Sequence, residues 1–496
     1  MTVYDVVIVG GGLGGLLCGN ILSREGMNVC LIEKNHKLGG SLQTFGRKGC
    51  IFNTGLNYTE SLDKGQVLHQ YFRYFKLIDR IQLRRLDGNG FEHIHFNNGE
   101  YKFAMGRESF VETLCRQFPS EREGLNEYVS RIHSICEGIP LYTFSGEPSN
   151  IILNSNLNTG AAGFIRSVIS DPRLQNILAG NNMLYSGTDD RTPLYIHALI
   201  NNSFIESAWR IADGSHNVVN VLAENITSNG GTIMKNKRVD KIHSHNGIVE
   251  SVILENGERI SGKNFIVNVH PSELLKMVEP NALRKTFRIR IDNLGDTMGM
   301  FTLYLVFKKN TVPYMNFNFY HYNHDNVWVA SDYDVKKWPQ NYLLMPVAMS
   351  DDSKYARSAS VITYMNYSEL QKWENTFTGN RGDDYLEFKN NKAVELLKSV
   401  EHQFPGISNN VEAYYTSTPL TWRDYTGTRR GSAYGLIKDY NRPLESLILP
   451  RTHMPNLFLT GQNNYVHGIL GVTISSVVTC SQLIDESYLV KKIRSS

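Results

Sequence analysis

A Val/Ile-rich strand over Tyr4–Val9 runs straight into Gly10-Gly11-Gly12-Leu13-Gly14-Gly15, and this start constrains the fold more than any other part of the chain. Gly10, Gly12 and Gly15 fit G-x-G-x-x-G between a strand and a helix that includes Leu13 and Gly14, and a second strand ends at Glu33. Each glycine position has a physical reason. Gly10 permits the tight turn, Gly12 lets the backbone approach a pyrophosphate, and Gly15 lets the helix pack on the strand. The pyrophosphate then faces unpaired N–H groups at the positive end of the helix dipole. Glu33, about twenty residues on, is placed to accept hydrogen bonds from ribose hydroxyls. Glycines also occur in ordinary strand-turn-helix units; their joint context with Glu33 specifies a pocket for an adenine dinucleotide.

Beyond Glu33 the run Glu33-Lys34-Asn35-His36-Lys37-Leu38-Gly39-Gly40-Ser41 carries a second glycine pair. This run resembles the large FAD-binding family that includes amine oxidases, phytoene desaturases and Rab GDP-dissociation inhibitors, in which the pair brings more backbone against the phosphates. The resemblance implies FAD as cofactor, with Lys34, Gly39, Gly40, Ser41 and Leu42 among its contacts. Many members have Arg straight after the pair. Here it is Ser41, so some charge neutralisation is lost or moved to Lys34 or Lys37.

With 496 residues, 41% hydrophobic and 20% charged, the chain can bury a sizeable core and should divide into about two domains. The net charge of +3, with acids and bases well mixed, argues against nucleic acid as a partner. The six cysteines show no C-x-x-C pair and no metal-ligand spacing, and read as reduced, buried thiols. Asp5 stands where a signal peptide would be basic, and no run of about eighteen apolar residues occurs. The expected location is cytoplasmic, with peripheral contact to a membrane surface as an addition. His93-x-His95 and His243-x-His245 lack a nearby third ligand, so no metal is expected. The acid pairs Asp189-Asp190, Asp351-Asp352 and Asp383-Asp384 sit among turn residues and read as solvated. Leu157, Ala161, Phe164, Ile165 and Val168 form an apolar helical face, read as packed core rather than a membrane-docking surface.

The expected fold is α/β: a Rossmann-like FAD-binding domain of the amine oxidase and GDP-dissociation-inhibitor type with an inserted α+β substrate domain. Residues 1–65, 211–281 and 450–496 are assigned to the first, 66–210 and 282–449 to the second. From about Lys64 to Arg210 the pattern reads as helical. Val239 to Leu254 alternates like a hairpin around Asn246-Gly247, followed by a buried strand from Phe265 to Val269. Gly299–Phe307 and Ala359–Tyr367 read as strands, and Glu387–Phe404 as a helix stopped by Pro405-Gly406. In the resembled family a residue near Val239 meets the adenine. The strand ending at Gly461-Gln462 passes the ribityl chain, and the turn at Gly468 leads to a helix over Gly471–Leu483. That helix start faces the flavin pyrimidine, where free N–H groups at Gly471 and Val472 would stabilise the charge of reduced flavin.

Within that family the nearest likeness is to the phytoene desaturase, carotenoid isomerase and retinol saturase branch. It rests on Phe52-Asn53-Thr54-Gly55-Leu56-Asn57-Tyr58, Thr418-Pro419-Leu420-Thr421, Arg430-Gly431-Ser432-Ala433-Tyr434-Gly435 and Leu459-Thr460-Gly461-Gln462. Gly55 and Asn57 join the cofactor contacts on this likeness. Relatives often have Asp and His where this chain has Asn53 and Asn57, and an amide cannot titrate. The likeness implies a polyene or isoprenoid lipid as substrate, saturated or isomerised at a C=C bond. His467 and Tyr434 are the candidate proton donors. His467 has an equal alternative role, bonding to backbone and shaping its turn. No second dinucleotide fingerprint is present. Electrons are therefore expected to pass to or from a diffusing partner: a quinone, a reduced carrier or NAD(P)H. The alternatives are a desaturase running in the opposite direction, a non-redox prenyl-binding module, and an amine oxidase, for which no aromatic cage motif is evident.

Overall fold

The computed structural model describes residues 3–145, 157–348 and 353–496; the pair Asp351-Asp352 lies outside them. The strand Val3–Val9 is central in a seven-stranded sheet. On one side it pairs in parallel with Val29–Ile32, which pairs with Thr232–Met234. On the other it pairs with Arg259–Val267. That strand serves two partners: its first half takes the hairpin Val239–His245 and Ile248–Leu254, its last three residues take Leu457–Leu459 in parallel. Val6–Val9 and Val29–Ile32 are unbroken apolar runs because both faces of a parallel sheet are covered. The helix Leu13–Arg24 lies between the helices His216–Ser228 and Gly468–Cys480. Asn246 and Gly247 have φ of +50° and +77°, as a two-residue turn between twisted antiparallel strands requires.

A second sheet of eight strands runs Val411–Ser417, Gly299–Phe307, Tyr355–Met365, Asn341–Ala348, Asn318–Tyr322, Glu92–Phe96, Gly99–Phe103, with Val312–Pro313 added beside Tyr355–Met365. Here the expectation of a helical region from Lys64 to Arg210 needs correction. Glu92–Phe96 and Gly99–Phe103 form a hairpin in this sheet. Glu92–Phe96 pairs in parallel with Asn318–Tyr322, a contact whose distance along the chain hides it from local periodicity. A three-stranded ribbon, Thr59–Glu60, Ala208–Ile211 and Leu83–Arg85, joins distant segments between the two large sheets. The apolar face predicted around Ala161–Val168 is a helix with Ala161, Ala162 and Ile165 buried; Leu157 precedes it.

The helix expected from Gly471 begins three residues earlier, at Gly468, with His467 extended before it. Gly468 has φ of +78°, a conformation that disfavours a side chain. Gly471 therefore sits inside the first turn, where an added Cβ would lie 2.6 Å from the Val466 carbonyl oxygen. The open N–H groups of this helix belong to its first residues, not to Gly471 and Val472. One of them, that of Leu470, is near enough to the buried Glu60 carboxyl to favour its charged form. No helix among the described residues is long and apolar enough to cross a membrane.

Candidate active site

The glycine turn after Val3–Val9, the second glycine pair and the end of Leu457–Leu459 converge on one cavity. With the part open to solvent included, it spans about 1110 Å³. Its floor is main chain: Gly12, Leu13, Gly14, Gly39, Gly40, Ser41, Leu42, Gly55, Gly461 and Gln462 all line it. The spacing tolerates no side chain at several of these positions. A Cβ on Gly14 would lie 2.7 Å from Asn268 Oδ1 and 3.0 Å from Gly461 Cα. A Cβ on Gly461, whose φ is +101°, would lie 2.4 Å from the same Oδ1. Asn268 fastens this floor by donating from Nδ2 to the Gly10 carbonyl at 3.2 Å. Sequence reading missed it, although it ends a buried strand beside the fingerprint.

Glu33 is buried just past its strand, and its carboxylate accepts from the N–H of Gly11 at 2.8 Å and of Asn35 at 2.7 Å. Two bonds leave acceptor capacity on both oxygens. Gly10 and Gly15 do not line the cavity; they bring helix and strand together, with a Cβ on Gly15 reaching 2.1 Å from the Gly10 carbonyl oxygen. Neither lysine faces the cavity. Lys37 donates to the Thr44 carbonyl at 3.1 Å, and Lys34 Nζ lies near Gly427. Charge on a bound pyrophosphate would thus meet backbone N–H groups and the Leu13–Arg24 helix dipole. Ser215 ties the floor to the second segment, its Oγ donating to the Leu42 carbonyl at 2.9 Å. Val239 is buried at the start of its strand, paired with Leu254, outside the cavity lining. Asn57 lines a different cavity.

The opposite wall takes Met300 and Ile362 from the eight-stranded sheet, Trp422 and Thr426 from the helix Pro419–Thr426, Thr428, Ala433 and Tyr434 from the segment after it, and His270, with Gly468, Ile469 and Val472 at the start of the helix Gly468–Cys480. The rings of Tyr434 and His467 lie 4.2 Å apart, both lining a smaller cavity next to the first. Both donate to backbone carbonyls. Tyr434 Oη donates to Met183 at 2.9 Å, and burial pushes its pKa up. His467 Nε2 lies 2.8 Å from the Leu184 carbonyl oxygen and is its donor, while burial lowers the imidazole pKa to about 4. At neutral pH this histidine is uncharged, and its backbone bond is the one its turn-shaping role requires. Lys438, also buried here, gives its ammonium to the carbonyls of Ser446, Asn463 and Asn464 and so holds the loop between Gly461 and His467. Burial lowers its pKa to about 7.

A family model, flavin containing amine oxidoreductase, matches residues 13–356. The chain belongs to this family. It is an FAD-dependent oxidoreductase, and the glycine floor, closed to side chains yet open to a ligand, fits that cofactor. All-trans-retinol 13,14-reductase of Rattus norvegicus is 24% identical over 97% of this chain and 85% of its own length. Prolycopene isomerase 1 of an Oncidium hybrid cultivar is 22% identical over 99% of this chain and 85% of its own. Wild-type putrescine oxidase bound to putrescine superposes with a TM-score of 0.64 at 13% identity, covering 97% of this chain and 99% of that one, a likeness of fold alone. For this flavoprotein the wall residues Met300, Ile362 and Trp422 carried no sequence signal as site residues. They are ordinary apolar residues whose role comes from tertiary placement.

Proposed function

We propose that this oxidoreductase reduces or isomerises a C=C bond of a polyene or isoprenoid lipid. The observation that carries the reading is the wall over the glycine floor. Among the described residues no Asp or Glu lines the cavity, and the groups facing it include Met300, Ile362, Trp422, Ala433 and Tyr434 beside the uncharged polar side chains of Thr426 and Thr428 and the imidazole of His270. An ammonium substrate would be desolvated there without a partner, at a cost of several kcal/mol by the usual scale of buried unpaired ions, about the whole affinity of a weak ligand. An uncharged polyene has no such penalty and gains from apolar burial. The likeness to a retinol reductase and a prolycopene isomerase over nearly the whole chain supports the same substrate class.

In this reading Gly12, Leu13, Gly14 and the Gly39–Leu42 turn hold the pyrophosphate, and Glu33 holds the adenosine ribose. Gly55, Gly461, Gln462, Gly468 and Val472 surround the flavin end. Bound FAD supplies or accepts the hydride. The protein orients the lipid between Ile362 and Tyr434 and excludes water. With hydroxyl and imidazole protons both held by carbonyls, Tyr434 and His467 fix the wall beside the reacting bond, and the proton for a saturated carbon comes from solvent through the adjoining cavity. The electron partner is a diffusing molecule, a quinone or a reduced carrier, and contact with a membrane surface brings the lipid within reach.

The test is anaerobic. Flavin in the purified protein is reduced with dithionite before polyenes are added, primary amines are added to the oxidised protein, and the flavin spectrum is followed. Either reoxidation of the flavin with formation of a saturated product, or formation of an isomerised product with the flavin left reduced, is expected. Anaerobic reduction of the oxidised flavin by a primary amine, with no polyene reaction, would sink the reading.

A further inference from the structure

Behind the loop that carries Asn53 and Asn57 lies another cavity of about 570 Å³, partly open to solvent, that shares no lining residue with the flavin cavity. Asn57, Gln82, Arg84, Arg210 and Tyr314 are on its wall. Arg84 and Arg210 are cross-strand neighbours in the three-stranded ribbon, an arrangement in which like charges repel. Arg210 is the unusual member, only 4% exposed. Its Nη2 donates to the Phe317 carbonyl at 3.1 Å and to Asn318 Oδ1 at 2.7 Å, but Nε and Nη1 donate no hydrogen bond. The charged and polar groups that bear on it are the phenols of Tyr314 and Tyr58 and the guanidinium of Arg84, and burial holds its pKa below the usual arginine range. Asp213, the acid on the cavity lining, is exposed to solvent and forms no ion pair with Arg210.

A guanidinium that is buried, charged and left with open N–H groups is costly unless an anion meets it. Arg210 lines this partly open cavity, and Asn57 and Gln82, whose amides carry N–H donors, stand on the same wall. We infer that this cavity is an oxyanion-binding site in which Arg210 takes the carboxylate or phosphate group of a ligand. Arginine suits such groups because its planar array of donors matches their oxygens. The inference does not rest on the polyene reading of the flavin cavity, since the anion could be free in solution or the head of a lipid.

The experiment uses the FAD-loaded protein, so that the dinucleotide site is filled. Inorganic phosphate and acetate are titrated by calorimetry at constant ionic strength, beside a polyene carboxylic acid and the corresponding alcohol. Arg210→Met is compared with wild type and with Arg80→Gln, a change at a surface ion pair with Glu224. Saturable binding that weakens at least tenfold in R210M and is unchanged in R80Q is expected. If inorganic anions bind in this way, the ligand is a free anion. If only the polyene acid does, and the alcohol does not, the ligand is a lipid head group. Should R210M fail to fold, Arg210→Lys keeps the charge with fewer donors and is expected to weaken binding in the same direction. Absence of saturable binding to wild type by every probe overturns the site, as does equal binding by either Arg210 variant.

Discussion

On the floor of the flavin cavity Gly12, Gly14, Gly40 and Gly461 bring main chain to within van der Waals reach of main chain; on the wall Met300 and Ile362 present side chains from another sheet, and Ala433 and Tyr434 from a loop beside it. The floor depends on what is missing. Its geometry follows from residues without Cβ, and a dinucleotide is met by N–H groups that any sequence possesses. The wall depends on what is present, and nearly any apolar residue of suitable volume could stand at each of its positions. Substitutions on the two sides should therefore fail in different ways: on the floor by excluding the cofactor, on the wall by changing rate or preference with the cofactor still bound.

The largest effect expected is for Gly12→Val. A Cβ there already meets Asn268 Nδ2 at 3.1 Å, and the two further methyls would occupy the space the phosphates need. Purified variant should carry less than about a tenth of the wild-type FAD, on the scale of a loss of 1.4 kcal/mol or more. Full flavin occupancy, read by absorbance after denaturation, would break the contrast at once. Next is Glu33→Gln, which puts an amide N–H₂ where a carboxylate oxygen accepted from Gly11 or Asn35. Losing a charged acceptor costs about 1.5–3 kcal/mol, so FAD should bind roughly 10- to 100-fold more weakly. The check is the Kd for FAD added back to apoprotein, and an unchanged value would show that the carboxylate serves only its own turn.

This contrast also decides what could be read from the chain. The fingerprint, the second glycine pair and the Asn246-Gly247 hairpin are local: each is enforced by backbone conformation within a few residues, so the letters alone carry it. The burial of Val6–Val9 and Val29–Ile32 follows almost as directly, because continuous apolar strands must be covered on both faces. The parallel pairing of Glu92–Phe96 with Asn318–Tyr322 was hidden by distance along the chain, whereas its hairpin with Gly99–Phe103 is local and was overlooked among helical neighbours. Asn268 and Trp422 were hidden for a related reason, since their place at the cavity depends on folding that joins remote segments. The start of the last helix was misplaced by three residues because Gly468 and Gly471 both look like turn residues, and only the packing of Gly471 on Val466 tells them apart.

On the wall, Tyr434→Phe removes one hydrogen bond, that to the Met183 carbonyl. A stability loss of about 1 kcal/mol with unchanged FAD content is expected. Single-turnover reoxidation of reduced flavin by a polyene should stay within about threefold of wild type. A drop of about 100-fold or more would instead mark the phenol as the proton donor, since that is the usual range for a lost general acid, and would overturn its role as wall alone.

At pH 7 the smallest effect is expected for His467→Gln, and it grows only as the pH falls. Burial holds this imidazole near a pKa of about 4 in the folded chain, against about 6.5 when unfolded. Between those values the unfolded chain binds the extra proton, so this group makes folding less favourable as pH falls, by ~1.4 kcal/mol per pH unit at most. Glu60, at the same helix start, acts in the opposite sense. Its carboxyl is raised to about 7 by burial, so the folded chain holds its proton while the unfolded chain has lost it, and lowering the pH toward its ordinary value near 4.5 strengthens folding. In wild type the two contributions largely offset each other between pH 4.5 and 6.5. Glutamine can still donate an N–H to the Leu184 carbonyl but cannot take up a proton. The variant should therefore match or fall slightly below wild type at pH 7 and gain on it by about 1–2 kcal/mol by pH 5, with thermal midpoints of the FAD-loaded proteins as the measure. Parallel midpoint curves for the two proteins would mean that His467 titrates alike in the folded and unfolded chain, and the wall would then hold a histidine able to carry a proton near neutral pH after all.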